Sequence, residues 1–437
     1  MSSAALGFAS LFLGLVTGRQ QVELLVTPPV TTVEVQVDGR AVGMLNEAPW
    51  RLEVDFGTAL CPHHLDAVGR DAGGHEVARV RQRINLPRPA AEVEVSLSRD
   101  PDGRVSGATL SWQKNDWKAP RKILADLDGE SLPVLAAGRL SWLPSDPRSV
   151  HLLRVVLDFD DGVTANREVV FGLDVAAEAE SALTGVAVQY RRAGDAPALA
   201  DLRGKVRDHE AQVRVVAVEK GNVQLAVVLD PNARNPLISV LQRALANGGY
   251  FDRLLDGRDT LLAVGTEPLL QGLPGGLTNA VFPVLGLPDC RSDELLRSFW
   301  LWKGFRNQPA GSGIYLSGAV ALAGLRAMAT NQRRAVLLIA GEGALQVEPG
   351  SVRRTREFLA SIGVPLEVWT PVPKGQWPEM SPWGELVDVS TSGGLFAADI
   401  ALKKLLRRQR IVWLDGDHLP QDIELAPGLD DLRIAGR

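Results

Sequence analysis

Apolar and polar residues alternate along residues 21–90. Val33, Val35 and Val37 face one way, Glu34 and Gln36 the other, the period-two pattern of a half-buried strand. Asp38-Gly39 supplies a hairpin turn signal. Further short strands are expected at Trp50–Val54, His64–Gly69 and Val77–Ile84, with Asp71-Ala72-Gly73-Gly74 between the last two. Asn85-Leu86-Pro87-Arg88-Pro89 reads as a linker, because proline cannot join a ladder and stiffens the chain. Residues 91–178 repeat the plan. Val93, Val95 and Leu97 alternate, Asp128-Gly129 is a second turn signal, and His151-Leu152-Leu153-Arg154-Val155-Val156 is similar to His64-Leu65-Asp66-Ala67-Val68. Two tandem immunoglobulin-like β-sandwiches, 21–90 and 91–178, are the expectation. Residues 1–20 stand before them as a leader and 179–209 follow as a linker.

The period then changes. Over 210–416, strands alternate with helices. Val223–Leu229 is a continuous apolar run, as expected of a strand buried on both faces. Asn235-Pro236 has the form of an N-cap followed by a first-turn proline. Strands are expected at Leu261–Val264, Ala335–Ile339, Val364–Trp369, Leu386–Val389 and Ile411–Leu414, and helices at Asp293–Phe305, Ile314–Ala329, Ser351–Ile362 and Leu395–Arg408. This order predicts a doubly wound, Rossmann-like α/β domain with a parallel sheet. Residues 417–437 are left as a tail with short strands. Ligands of such sheets lie at the carboxyl ends of the strands, so the loops after Leu229 and Ile339 and before Ile314 are the ones to inspect.

Those loops carry a resemblance. Leu225-Ala226-Val227-Val228-Leu229-Asp230 resembles the first strand of a von Willebrand factor A domain. In that family the strand ends in Asp-x-Ser-x-Ser, a second loop gives a Thr and a third strand ends in Asp-Gly. Together these oxygens hold a magnesium or manganese ion that a partner's carboxylate completes. Here the first motif reads Asp230-Pro231-Asn232-Ala233-Arg234, the Thr position is Ile314 and the Asp position is Ala340. The resemblance therefore implies a von Willebrand factor A-like fold whose metal-ion-dependent adhesion site is degenerate, with Arg234 expected to fill the cation's place beside Asp230. Thr391-Ser392-Gly393-Gly394-Leu395-Phe396 and the helix after it are similar to the end of that domain.

Composition adds little. The net charge of −5 argues against nucleic-acid binding. The apolar run Ala4–Val16 has the length of an export signal, which would place the protein outside the cell or in the envelope, and no stretch is long enough to span a membrane. Cys61 and Cys290 read as two inert thiols, and His63-His64 as a poor metal pair because neighbours on a strand face opposite ways. Asp415-Gly416-Asp417-His418 reads as a tight turn, and Lys403-Lys404 with Arg407-Arg408 as a solvated helix end. Phe299, Trp300, Trp302 and Phe305 read as helix packing. Trp377 and Trp383, in the proline-rich loop from Pro371 to Pro382, are the candidates for a partner contact. The expectation is a scaffold that binds a protein partner, needs no cofactor or metal and is not an enzyme. The alternatives are a metal-dependent adhesion module using Asp230 and Asn232, an enzyme of unrecognised type, and a plain spacer.

Overall fold

The computed structural model describes residues 6–87 except 11, 13 and 14, then 91–159 except 101–103, 115–118, 129, 136–137 and 144–150. It further describes 164–171, 183–190, 202–209, 211–247, 259–266, 269–272, 278–287, 316–329, 332–342, 344, 349–426, 429 and 431–437. The expected helix at 293–305, with its aromatic residues, Cys290 and Ile314 lie outside the described residues. The chain divides into two compact units. One comprises residues 1–5, 88–183 and 415–417, the other 6–87, 184–414 and 418–437.

The larger unit begins with a β-sandwich. Strands β1 (Leu6–Phe8), β2 (Arg19–Val26), β3 (Thr32–Val37), β4 (Arg40–Leu45), β5 (Arg51–Asp55), β6 (His63–Arg70) and β7 (Glu76–Ile84) form two sheets, ordered β1-β2-β5 and β4-β3-β6-β7. All the pairings are antiparallel. Val33 and Val35 are fully buried, as their alternation predicts. Asp38 and Gly39 turn β3 into β4, both with positive φ (50° and 74°), the backbone that a tight hairpin of this hand requires. The apolar run read as an export signal contributes β1, which pairs with β2.

The smaller unit holds the second sandwich. Its strands are β8 (Ala91–Arg99), β9 (Val105–Lys114), β10 (Lys122–Leu127), β11 (Glu130–Ser131), β12 (Val134–Leu135), β13 (Arg139–Ser141), β14 (His151–Asp158) and β15 (Thr164–Phe171). They form sheets β11-β10-β14-β15 and β12-β13-β9-β8 around a core that includes Val93, Leu110, Leu153, Val155, Phe159 and Phe171.

The rest of the larger unit departs from the sequence reading at both ends of the α/β region. Residues 179–209, expected as a linker, carry β16 (Leu183–Tyr190) and β17 (Val206–Asp208). With β18 (Ala211–Gln212) and β19 (Val215–Glu219) these strands open a small β-unit that the end of the chain completes.

Between its halves lies the α/β domain. Strands β20 (Val223–Leu229), β21 (Thr260–Val264), β22 (Leu269–Gly272), β23 (Thr278–Val281), β24 (Val284–Leu287), β25 (Arg333–Ile339), β26 (Leu366–Thr370) and β27 (Val387–Asp388) alternate with helices α1 (Arg234–Ala246), α2 (Leu316–Met328), α3 (Pro349–Ser361) and α4 (Ser392–Arg407). The main sheet runs β24-β21-β20-β25-β26-β27, parallel except for the edge strand β24. Leu225, Val227, Leu229, Leu337 and Ile339 pack with α1 and α4. Their neighbours Ala226, Val228, Val336 and Leu338 pack with α2 and α3. Helices on both faces explain why β20 and β25 are apolar without alternation.

The chain then closes the small β-unit with β28 (Gln409–Asp415), β29 (Ile423–Leu425) and β30 (Leu432–Ile434), in sheets β19-β28-β16-β30 and β18-β17-β29. Val188, Leu202, Val206, Val412, Leu414 and Ile423 share its core. Ile411–Leu414, expected as the last strand of the parallel sheet, therefore belongs elsewhere: it runs antiparallel to β19. Residues 417–437, expected as a tail, carry two of its strands.

Candidate functional site

Strands β20 and β25 are neighbours at the centre of the parallel sheet. The chain continues from β20 to β21 on one side, while β25 lies on the other, so the carboxyl ends of β20 and β25 flank the switch point where doubly wound sheets hold ligands. Asp230 follows β20 there, and Ala340-Gly341 follows β25.

Asp230 is 0% exposed. Its Oδ1 accepts the main-chain N–H of Asn232 at 3.0 Å, and its Oδ2 accepts the N–H of Gly341 at 2.9 Å. The same side chain caps a 3₁₀ turn, Pro231–Ala233, which leads into α1. Asn235, expected as the cap, is instead the second residue of α1, which has no side-chain cap of its own. Burial pushes the Asp230 carboxyl above its ordinary range, and the amides of Asn232, Gly341 and Ala344 pull against that. Gly341 is required by the close approach of the loops: a Cβ there would stand 2.6 Å from Ala233 N.

Of the other adhesion-site positions, Asn232, Arg234 and Ala340 lie among the described residues. Asn232 is exposed, and both its main-chain N–H and its side chain hydrogen-bond the Asp230 carboxylate. Arg234 is half-buried in the first turn of α1. Ala340 is buried and donates its N–H to Trp369 O at 2.8 Å. A magnesium or manganese ion needs an open set of hard oxygens. A buried carboxylate with both oxygens engaged does not fit one.

The tryptophans are corrected as well. Trp383 is 2% exposed and donates its Nε1–H to Ala344 O at 3.0 Å, so it is chiefly a core anchor, with one edge lining the cleft along α3 and β26. Trp377 is half-buried and donates to Val372 O at 2.8 Å. Lys403, expected on a solvated face, instead pairs with Asp399 at 2.7 Å with both side chains largely covered.

An open cleft of about 660 Å³ lies along α3 and β26. Arg353, Arg356, Glu357, Glu367 and Glu385 give it charge, with Leu366 and Val387 among its apolar lining. Burial raises the Glu367 carboxyl, and the charge of Glu385 raises it further.

Two polar clusters in the larger unit escaped the sequence reading. Asp208, His209 and Asp422 converge with ligand-type atoms all within 4.8 Å of one another, and His418 of the Asp415–His418 turn bonds Asp208 at 2.5 Å. In the first sandwich, Cys61 Sγ lies 3.3 Å from His63 Nε2, and His63 Nδ1 lies 2.7 Å from Asp38 Oδ2. The signal for this second cluster was the spacing of Cys61 and His63, two apart along extended chain and so on one side of it.

No family model matches the chain, and no curated protein does. Solved structures similar to parts of it include the fibronectin(III)-like modules of Clostridium thermocellum CbhA, at 16% identity over 18% of this chain and 92% of that one, TM-score 0.17. The Sidekick-1 immunoglobulin domains 1–5 match at 13% identity over 52% of this chain and 43% of that one, TM-score 0.15. A β-glucuronidase of Parabacteroides merdae matches at 13% identity over 38% of this chain and 25% of that one, TM-score 0.15. The expectation that the chain is not an enzyme is not kept, since glycoside hydrolases stand among the solved structures similar to parts of it. At these scores the likeness assigns no reaction. Among the described residues, no helix is long and apolar enough to cross a membrane.

Proposed function

We propose that the α/β domain is a von Willebrand factor A-like interaction module that engages a protein partner without a metal ion, with the sandwiches as spacers or added contact surfaces outside the cell or in its envelope. The observation that carries this reading is the Asp230 carboxylate, wholly buried with both oxygens accepting main-chain N–H groups at the switch point. The sheet wound on both faces by helices supports the fold half of the resemblance. The cleft along α3 and β26, lined by Arg353, Arg356, Glu367, Glu385 and Trp383 among others, is the recognition surface in place of an exposed pair Trp377 and Trp383. Polar groups of both signs suit a partner segment that carries its own charges.

Thermal melting of the full chain with excess magnesium, manganese or EDTA tests it. A ligand that binds only the native state raises the melting temperature by mass action. The expected result is one melting temperature in all three. A rise with either metal, abolished by Asp230→Ala, overturns the reading.

A further inference from the structure

We propose that Cys61, His63 and Asp38 form a nucleophilic site that accepts an acyl group from a thioester or an activated ester. The three side chains stand in the order that such chemistry requires: a nucleophile, a base that reaches it, and a third group that orients the base. Cys61 Sγ faces His63 Nε2 at 3.3 Å, and the opposite ring nitrogen, Nδ1, donates to Asp38 Oδ2 at 2.7 Å. Asp38 is itself fixed, because its Oδ1 accepts the main-chain N–H of His64 at 2.8 Å. The Phe56 ring lies 5.8 Å from the His63 ring, which limits the imidazole's freedom to turn.

The second sandwich supplies an internal comparison. There His151 Nδ1 lies 2.7 Å from Asp128 Oδ2, and Asp128 has the same positive φ (54°) as Asp38 (50°). An Asp–His bond across a hairpin turn is thus a structural device of both sandwiches. Holding the turn explains Asp38 and His63. It does not explain a thiol on the far nitrogen of His63.

The electrostatics agree with the geometry. Burial lowers the proton affinity of His63, but its bonds to Asp38 and Cys61 and their charges raise it, to a pKa of about 9. The imidazole can therefore hold a proton beside sulfur at neutral pH. The other titratable groups around the triad are His64, which acts on Asp38, and Asp422, which raises the negative charge near it and is accompanied by Asp208, His209 and Arg437.

The step balances without a co-reactant. In the form of His63 whose Nε2 carries no proton, the Cys61 proton passes to that nitrogen, and the sulfur attacks the acyl carbonyl carbon. A carbon–sulfur bond forms to Cys61, the bond from the acyl carbon to its leaving thiolate or alkoxide breaks, and that group departs with the proton from His63.

The test uses the full chain carrying Cys290→Ser, which leaves Cys61 as its one thiol because the sequence has 2 cysteines. The probe is p-nitrophenyl acetate. A stoichiometric burst of p-nitrophenolate is expected, with acetyl on Cys61 by peptide mass spectrometry. His63→Ala lowers the acylation rate by about 100-fold and removes the imidazole's inflection from the pH–rate profile. Asp38→Asn lowers the rate too, whereas His151→Ala leaves it unchanged. Where circular dichroism shows that His63→Ala has not folded, His63→Gln decides in its place. A Cys61 that acetylates no faster than a cysteine in an unstructured peptide, or equally fast without His63, overturns the proposal.

Discussion

The side-chain amide of Gln409 clasps the main chain of Arg334 from both sides. Gln409 Oε1 accepts the Arg334 N–H at 2.8 Å, and Gln409 Nε2 donates to Arg334 O at 2.9 Å. The bond pair ties β25 of the parallel sheet to β28 of the small β-unit. The Arg334 side chain extends the same tie by donating from Nη2 to Gly185 O, on β16, at 3.2 Å. It is 1% exposed, and burial lowers its guanidinium to a pKa of about 10.

Gln409→Ala removes both bonds and strands two buried main-chain groups. Each unsatisfied group costs about 1–3 kcal/mol, so a loss of about 3 kcal/mol in urea unfolding is expected. A loss within experimental error would mean that water replaces the amide.

Gly341→Ala drives a methyl into Ala233 N and Asn232 C, at 2.6 and 2.7 Å from the new carbon. Main chain on both sides cannot yield as a side-chain tip can. A cost of about 2–3 kcal/mol is expected from overpacking of this kind, read as a lower denaturant midpoint. Asp230→Asn should be similarly harmful, since its amide nitrogen or its lone oxygen cannot accept from both Asn232 and Gly341.

Trp383→Phe keeps most of the ring but loses the bond to Ala344 O. A drop of about 1–2 kcal/mol is expected, with Trp383→Ala costing about 3–5 kcal/mol. The readout is stability. A variant that melts normally yet loses a binding partner would return Trp383 to the surface role its loop suggested.

The pH dependence of His63 has a definite sign. Its proton is held more tightly in the folded chain, at a pKa of about 9, than at the ordinary value of 6.5. The stabilisation from the charged ring is thus complete below about pH 6.5 and is lost as the pH rises through 9. The gap in melting temperature between wild type and His63→Phe should be widest near about pH 6 and narrow toward about pH 10. An equal gap at both pH values contradicts the charged pairing with Asp38.

Local patterns were legible and long-range partners were not. The alternation at Val33–Val37, the Asp38-Gly39 turn and the unbroken run of β20 depend on neighbours in sequence, and the structure has each of them. Ile411–Leu414 reads as a strand whichever sheet it enters, because an apolar run does not encode its partner. Only the pairing with β19 decides it. That Arg234 and Ala340 offer no carboxylate or hydroxyl could be read directly. The groups that take their place could not, since the N–H of Asn232 or Gly341 carries no residue signature. A proline-rich loop suggests exposure, yet the Trp383 indole found a carbonyl beneath it. Cys61 and His63 announce themselves by spacing, whereas Asp38 reaches them only through the β3–β6 pairing.

Strands β19 and β28 run side by side, with Glu219 opposite Ile411, and the whole α/β domain is strung between them. Its entrance and exit are therefore one doorway. A graft that replaced residues 223–408 with a foreign domain of closely spaced ends would leave the surrounding strands in register, and the excised piece would need only a short bridge to be made circular. The same doorway means that a force drawing the domain's entrance and exit apart would open β19 from β28 one residue pair at a time, starting at Glu219 and Ile411.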